Sequence, residues 1–215
     1  MCGIAGYIGL DLQPVDRLNA ALDTMRRRGP DNGAWKHWTT ANGRHVYFVH
    51  SRLSIIDVDD RANQPICSGD TWLVVNGELY NYLELRKQLV FSGRRFSTES
   101  DSEVLAAVID QEGTLGLDGC EGMWAFAAFR EASGEVILCR DRFGEKPIYL
   151  FRTSHGIYFA SEVKALFALV GERIGVDMDH LMRYVTCSYK SLYKRRNSFF
   201  EGVEELPSGR LVRID

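Results

Sequence analysis

The sequence predicts an α+β layered fold, and three observations point there. Strand-like runs follow one another with short turns between them, a pattern that suits antiparallel pairing. Helical segments are grouped between those runs instead of alternating one-for-one with strands. The chain has 215 residues, 45% hydrophobic and 26% charged. That is long enough to bury a sizeable core as one large domain, or as one domain with an appendage.

The opening, Cys2 to Gly9, reads CGIAGYIG. Ile4, Tyr7 and Ile8 among glycines predict a buried strand with close backbone approaches. Val15 to Arg27 predicts a helix with Leu18, Leu22 and Met25 on one face, ended by Gly29-Pro30. Strand-like runs follow at His45 to His50, Trp72 to Val75, Met123 to Phe129, Glu135 to Cys139, Ile148 to Arg152 and Gly156 to Ala160. Asn76-Gly77 reads as a turn closing the second of these. Trp124, Phe126 and Phe129 read as sheet core. Tyr82, Leu85 and Leu89 form one helical stripe. A second helix carries a capping-box signature, Ser100 to Glu103, and Gly113 closes it. Val163 to Val170 and Met178 to Val185 are further helix candidates. Residues 1–175 thus form the expected domain, and 176–215 an extension of different character with a basic loop at Lys190, Lys194, Arg195 and Arg196.

Composition excludes several classes. The formal net charge is -3 with basic residues dispersed, so no nucleic-acid face is expected. No apolar run reaches a membrane span. The N-terminus lacks a signal-peptide pattern, and a cytoplasmic setting is expected. The five cysteines, at 2, 67, 120, 139 and 187, form no CxxC pair and argue against a disulfide framework or a zinc site. His37, His45, His50, His155 and His180 lack metal-like spacing, so no metal is expected.

Cys2 follows the initiator Met, and a small residue there permits Met removal. One residue would then carry both a thiol and a free α-amine. An α-amine titrates near pH ~7.7–8.0, so it can accept a thiol proton and later protonate a leaving amine. The competing reading is a buried core cysteine.

The strings Met1-Cys-Gly-Ile, Arg28-Gly-Pro-Asp31, His50-Ser-Arg-Leu-Ser-Ile-Ile56, Asn76-Gly-Glu-Leu-Tyr-Asn81 and Glu99-Ser-Asp-Ser-Glu103 together resemble the class II glutamine amidotransferase domain. So do Gly122-Met-Trp-Ala-Phe-Ala127, Arg140-Asp-Arg-Phe-Gly-Glu-Lys-Pro147 and Ala160-Ser-Glu-Val-Lys-Ala165. The likeness is greatest to the glutaminase half of glutamine-dependent asparagine synthetases. It implies the N-terminal nucleophile hydrolase fold, a four-layer α/β/β/α sandwich of two mainly antiparallel sheets flanked by helices.

The resemblance also implies roles. Cys2 would attack the side-chain amide of L-glutamine. Asn76 (side-chain amide) and Gly77 (backbone N–H) would hold the oxyanion, chemistry in which one donor is typically worth about 10²–10³ in rate. Arg52 would take the α-carboxylate through its planar fork, and Asp101 the α-ammonium. Glu78 and the stretch Leu53, Ser54, Ile55 and Ile56 would complete the pocket. For Asp101 the competing reading is a helix-start carboxylate. Arg28 to Asp31 is expected to support the nucleophile. Arg27 stands where the family often has His. Arg140, Asp141, Glu162 and Lys164 are expected to knit strands together or contact a partner domain.

No cofactor is expected in this domain. ATP and Mg belong, under the resemblance, to a synthetase domain whose pyrophosphate-loop string does not occur here. The tail from Ser198 to Gly209 resembles the connector to that domain, with Ser208 where a second Pro is common. A synthetase domain or subunit is the expected recipient of ammonia, and a homodimer is compatible with the pattern. Two alternatives stay open: an inactive regulatory or binding module of the same fold, and a glutaminase half serving another acceptor, as in aminosugar or purine synthesis.

Overall fold

A computed structural model describes residues 1–188 and 198–215. The basic positions Lys190, Lys194, Arg195 and Arg196 lie outside them. Two antiparallel sheets stack face to face, with helices on both outer faces. This is the four-layer α/β/β/α sandwich that the sequence led us to expect.

The first sheet is built on β1 (Gly3–Gly9), which lies between β3 (His45–Arg52) and β9 (Gly156–Ala160). The edges are β2 (Asn32–Thr39) on one side and β8 (Tyr149–Arg152) with β10 (Val203–Glu205) on the other. The second sheet runs β11 (Leu211–Ile214), β7 (Val136–Arg140), β6 (Gly122–Arg130), β5 (Thr71–Leu79), β4 (Ile66–Ser68). Both strands of the 198–215 segment therefore pair with the sheets, one in each.

Period-two alternation divides the core into three layers. On β1, Ile4 and Ile8 point between the sheets, where Val74, Ala125, Ala127 and Phe129 meet them. Ala5 and Tyr7 point outward onto α1 (Val15–Met25) and α4 (Val163–Val170). On β6, Trp124 and Phe126 face α3 (Asp101–Glu112), beside α2 (Tyr82–Phe91). Phe129, of the opposite parity, faces inward, so the three aromatics read as sheet core serve two core layers. Leu18 and Met25 of α1 are fully buried, each worth about 1.5–3 kcal/mol of transfer free energy. The last helix, α5 (Met178–Cys187), follows the 175 boundary.

Several local expectations are corrected. Asn76 and Gly77 do not form a turn. The strand continues to Leu79, with Asn76 opposite Ala125 and Gly77 opposite Trp124. Gly77 is needed for close packing instead, because a Cβ there would lie 2.2 Å from Met123 O and 2.7 Å from Trp124 Cα. The capping box is also rearranged. Ser100 Oγ accepts from Ser102 N (3.1 Å), but Glu103 does not return to Ser100. Its carboxylate accepts from Ser97 N and Thr98 N, at 2.9 and 2.7 Å. The chain curls ahead of α3 and brings those earlier donors nearer. Strand β2 escaped the sequence reading because its half-buried edge pattern lacks clean alternation. β4, β10 and β11 are only three or four residues long.

Candidate active site

The cleft sits where the open end of the sandwich meets the edge of the second sheet. Its volume is about 270 Å³, and Cys2, Arg52, Leu53, Ile55, Ile56, Asn76, Gly77, Glu78 and Asp101 all line it. Of the positions expected from sequence, Ser54 alone is not brought in. Its backbone N donates to Asp31 Oδ2 at 2.7 Å, outside the cleft.

Cys2 immediately precedes β1 and is held against β3. Leu53 N donates to Cys2 Sγ at 3.4 Å, and the thiol reaches Leu53 O at 3.6 Å. Burial pushes the thiol pKa up and the Asp101 charge adds to this. The Leu53 hydrogen bond, the chain's α-ammonium and Arg52 act in the opposite direction. Met1 precedes Cys2: its amino group donates to Arg28 O at 3.2 Å, and its side chain lines the cleft.

Asn76 lies on the inward face of β5 with Val74, so its amide points toward Cys2. Two fixed partners assign its orientation. Its nitrogen donates to Cys2 O at 3.0 Å, and its oxygen accepts from Arg28 Nη2 at 3.2 Å. An amide nitrogen carries two hydrogens, so one is left for the cleft.

Gly77 N–H follows from strand parity. Residues along an antiparallel strand direct both backbone groups alternately to one neighbour and the other. Trp124 gives both of its groups to Asp141, donating to Oδ2 and accepting from N. Its partner Gly77 therefore points away from β6, toward an edge that β4 covers only at Thr71–Leu73. On that edge Gln64 Oε1 takes Val75 N (2.6 Å) and Asp101 Oδ2 takes Leu79 N (2.9 Å). Between them, among the described residues, no protein acceptor meets the Gly77 N–H.

A family model described as the glutamine amidotransferase domain matches residues 1–215. The chain belongs to that family. It is 37% identical over 196 residues to asparagine synthetase (glutamine-hydrolysing) 1 of Bacillus subtilis, covering 88% of this chain and 30% of that one. It is 36% identical over 173 residues to asparagine synthetase B of Escherichia coli, covering 77% and 30%. The chain spans about a third of the length of the curated relatives it matches. Among solved structures it resembles the glutamine phosphoribosylpyrophosphate amidotransferase of B. subtilis, with TM-score 0.64, 23% identity, and 79% of this chain and 44% of that one covered. That likeness carries the fold. The chain is thus a class II glutamine amidotransferase domain, homologous to the glutaminase part of asparagine synthetases.

The amidotransferase cleft holds features that sequence reading did not reach. Arg52 is 4% exposed, and its fork is already occupied. Nη1 donates to Asp59 O (3.0 Å) and Asn63 Oδ1 (2.7 Å), and Nη2 donates to Asp57 O and Ile56 O (3.5 Å). A substrate carboxylate would meet Nε, or displace the long bond to Ile56. Asp101 is buried, and its carboxyl pKa is pushed up by desolvation and by Glu78, against the Leu79 and Ser102 hydrogen bonds. It lies at the first residue of α3, so helix start and cleft use the same carboxylate. Arg28 bridges Cys2 O (2.9 Å, from Nε), Asn76 and Glu162 (2.9 Å). Lys146, from the Arg140 to Pro147 string, and Gln64, which carried no sequence signal, also line the cleft.

His50 is fully buried, its pKa pulled down to about 3 by desolvation, and it contacts Val75 O at 3.3 Å. It is a neutral core group. Arg140 of β7 joins the loop carbonyls of Lys146, Leu206 and Gly144 and pairs with Glu205 of β10 at 2.8 Å, and so ties the two strands together. Among the described residues no group of three or more His, Cys, Asp or Glu could hold a metal ion. No described helix is long and apolar enough to cross a membrane.

Proposed function

We propose that this domain hydrolyses L-glutamine to glutamate and ammonia through a γ-glutamyl thioester on Cys2. Removal of Met1 frees the Cys2 α-amine. That amine takes the thiol proton as Sγ attacks the side-chain amide carbon. The oxyanion is stabilised by the Gly77 N–H and the second Asn76 N–H. Collapse expels ammonia, which carries away the proton held by the amine. Water, deprotonated by the same amine, then cleaves the thioester. Arg52 holds the α-carboxylate and Asp101 the α-ammonium. Leu53, Ile55, Ile56 and Glu78 form the walls.

The observation that carries this reading is the Gly77 N–H. Among the described residues it is left without an acceptor, between Val75 and Leu79, whose N–H groups are both taken, in the cleft that contains Cys2. The test is steady-state ammonia release from glutamine by Met1-processed protein, with Cys2→Ala as control. Release by wild type alone supports the reading, and equal release by both proteins refutes it.

The acceptor of the ammonia follows from kinship. We assign it to ATP- and Mg-dependent amidation of aspartate by a synthetase domain or subunit, in the cytoplasm. On this reading residues 1–175 are the glutaminase domain and 176–215 lead toward the synthetase.

A further inference from the structure

The Ser-Ile-Ile-Asp stretch ends in a residue that the roles above leave unused. Asp57 has φ 53°, in the left-handed region that few residues other than glycine enter, Asp and Asn being the exceptions. Its neighbours Ile55 and Val58 to Asp60 are exposed, yet its side chain is only 6% exposed. The carboxylate accepts from Glu99 N at 2.7 Å and from Asp59 N at 3.3 Å, with Arg61 Nε 3.6 Å away. Its backbone carbonyl accepts from Arg52 Nη2. One residue is therefore tied to Arg52 through its main chain, and through its side chain to the segment that enters α3 two residues before Asp101. The Glu99 hydrogen bond, foremost among several influences, holds the carboxyl below the usual carboxylate range, so the tie is charged at neutral pH.

We propose that Asp57 is a positioning residue for the amino-acid substrate, fixing Arg52 and Asp101 at the separation that the α-carboxylate and α-ammonium require. The proposal rests on the roles given above to those two residues. The left-handed turn brings the Asp57 carbonyl onto the guanidinium. The same turn sends the carboxylate across to the Glu99 N–H. Neither bond touches Cys2 or the oxyanion donors, so Asp57 acts on substrate binding and not on the chemical step.

The test uses Asp57→Asn and Asp57→Gly, both of which tolerate the left-handed backbone. Asn loses the charge and sets an NH2 group against one of the donors. Gly loses the carboxylate altogether. Three quantities are measured: KM and kcat for glutamine, and the rate of Cys2 alkylation by iodoacetamide, a small neutral electrophile that needs neither charged grip. The expected result is a rise in KM of about tenfold or more in both variants, with kcat within about threefold of wild type. Alkylation should be unchanged. A general loosening of the fold would move kcat and alkylation together. The proposal is overturned by an unchanged KM, by a fall in kcat and alkylation with KM intact, or by loss of the fold in both variants. Should wild type fail to hydrolyse glutamine, or Arg52→Lys leave KM alone, the parent reading fails. If both of those behave as expected while the Asp57 variants match wild type, this inference alone fails.

Discussion

Arg28→Met removes one guanidinium that serves three partners at once. Nε donates to the Cys2 carbonyl at 2.9 Å, Nη2 to the Asn76 oxygen at 3.2 Å, and Nη1 to Glu162 at 2.9 Å. The stability cost is limited on the Glu162 side. That carboxylate is 29% exposed and keeps Lys164 at 2.7 Å, and such pairs contribute ~0–1 kcal/mol. Unsatisfied groups at Cys2 and Asn76 add about 1–3 kcal/mol. The catalytic cost is larger, because Arg28 is one of the two partners that decide which end of the Asn76 amide faces Cys2. Complete loss of an oxyanion donor costs about 10²–10³ in rate, and since Cys2 O still favours the correct orientation we expect a kcat loss of roughly 10- to 100-fold. Arg28→Lys should remain impaired, because one ammonium cannot span three partners. The assay is ammonia release at saturating glutamine, with thermal melts in parallel. A kcat within about threefold of wild type, or a loss confined to KM, would refute the link from Arg28 through Asn76 to the oxyanion.

Other substitutions probe separate parts of the site. Asp101→Asn should stabilise the unliganded protein near neutral pH while sharply weakening glutamine binding. Burial, with the Glu78 charge, raises the folded pKa of Asp101 above the ordinary aspartate value of 3.8, so the stability present below that pH is lost as pH rises through the folded pKa. Melting curves should therefore converge below pH 3.8 and separate in favour of the variant above the folded pKa; the opposite order contradicts the buried-charge account. Gly77→Ala should damage both fold and rate, since its Cβ would meet Met123 O at 2.2 Å. Unchanged melting and turnover would show that the β5–β6 approach is looser than described. Protein retaining Met1 should be inactive until trimmed, which intact-mass analysis beside the assay can check. Arg52→Lys should raise KM for glutamine, because an ammonium cannot hold the four loop acceptors of the guanidinium and also take the carboxylate proposed for it. An unchanged KM would remove Arg52 from substrate binding.

The parts of this fold that could be read from sequence are those with a strong local signal. The buried run at β1, the Gly113 stop of α3 and the apolar period of α4 all emerge at or close to the expected residues. Asn76-Gly77 misled because the dipeptide has two uses. A turn needs it for backbone freedom, whereas here Gly77 permits close strand packing and Asn76 turns inward. Arg28 was legible only as part of a string expected to support Cys2. Its bond to Glu162 reaches across 134 positions, and no periodicity encodes such a contact. The saturated fork of Arg52 was hidden for a related reason. A sequence displays the guanidinium but not the loop carbonyls that fold back onto it.

The most direct test is mass spectrometry of the Met1-processed protein, acid-quenched during turnover of glutamine. The expected result is a γ-glutamyl adduct on the N-terminal peptide carrying Cys2, absent from Cys2→Ala, together with ammonia release that vanishes in that variant. An adduct on Cys67, Cys120, Cys139 or Cys187, or ammonia release that persists in Cys2→Ala, would contradict the assignment of Cys2 as the nucleophile.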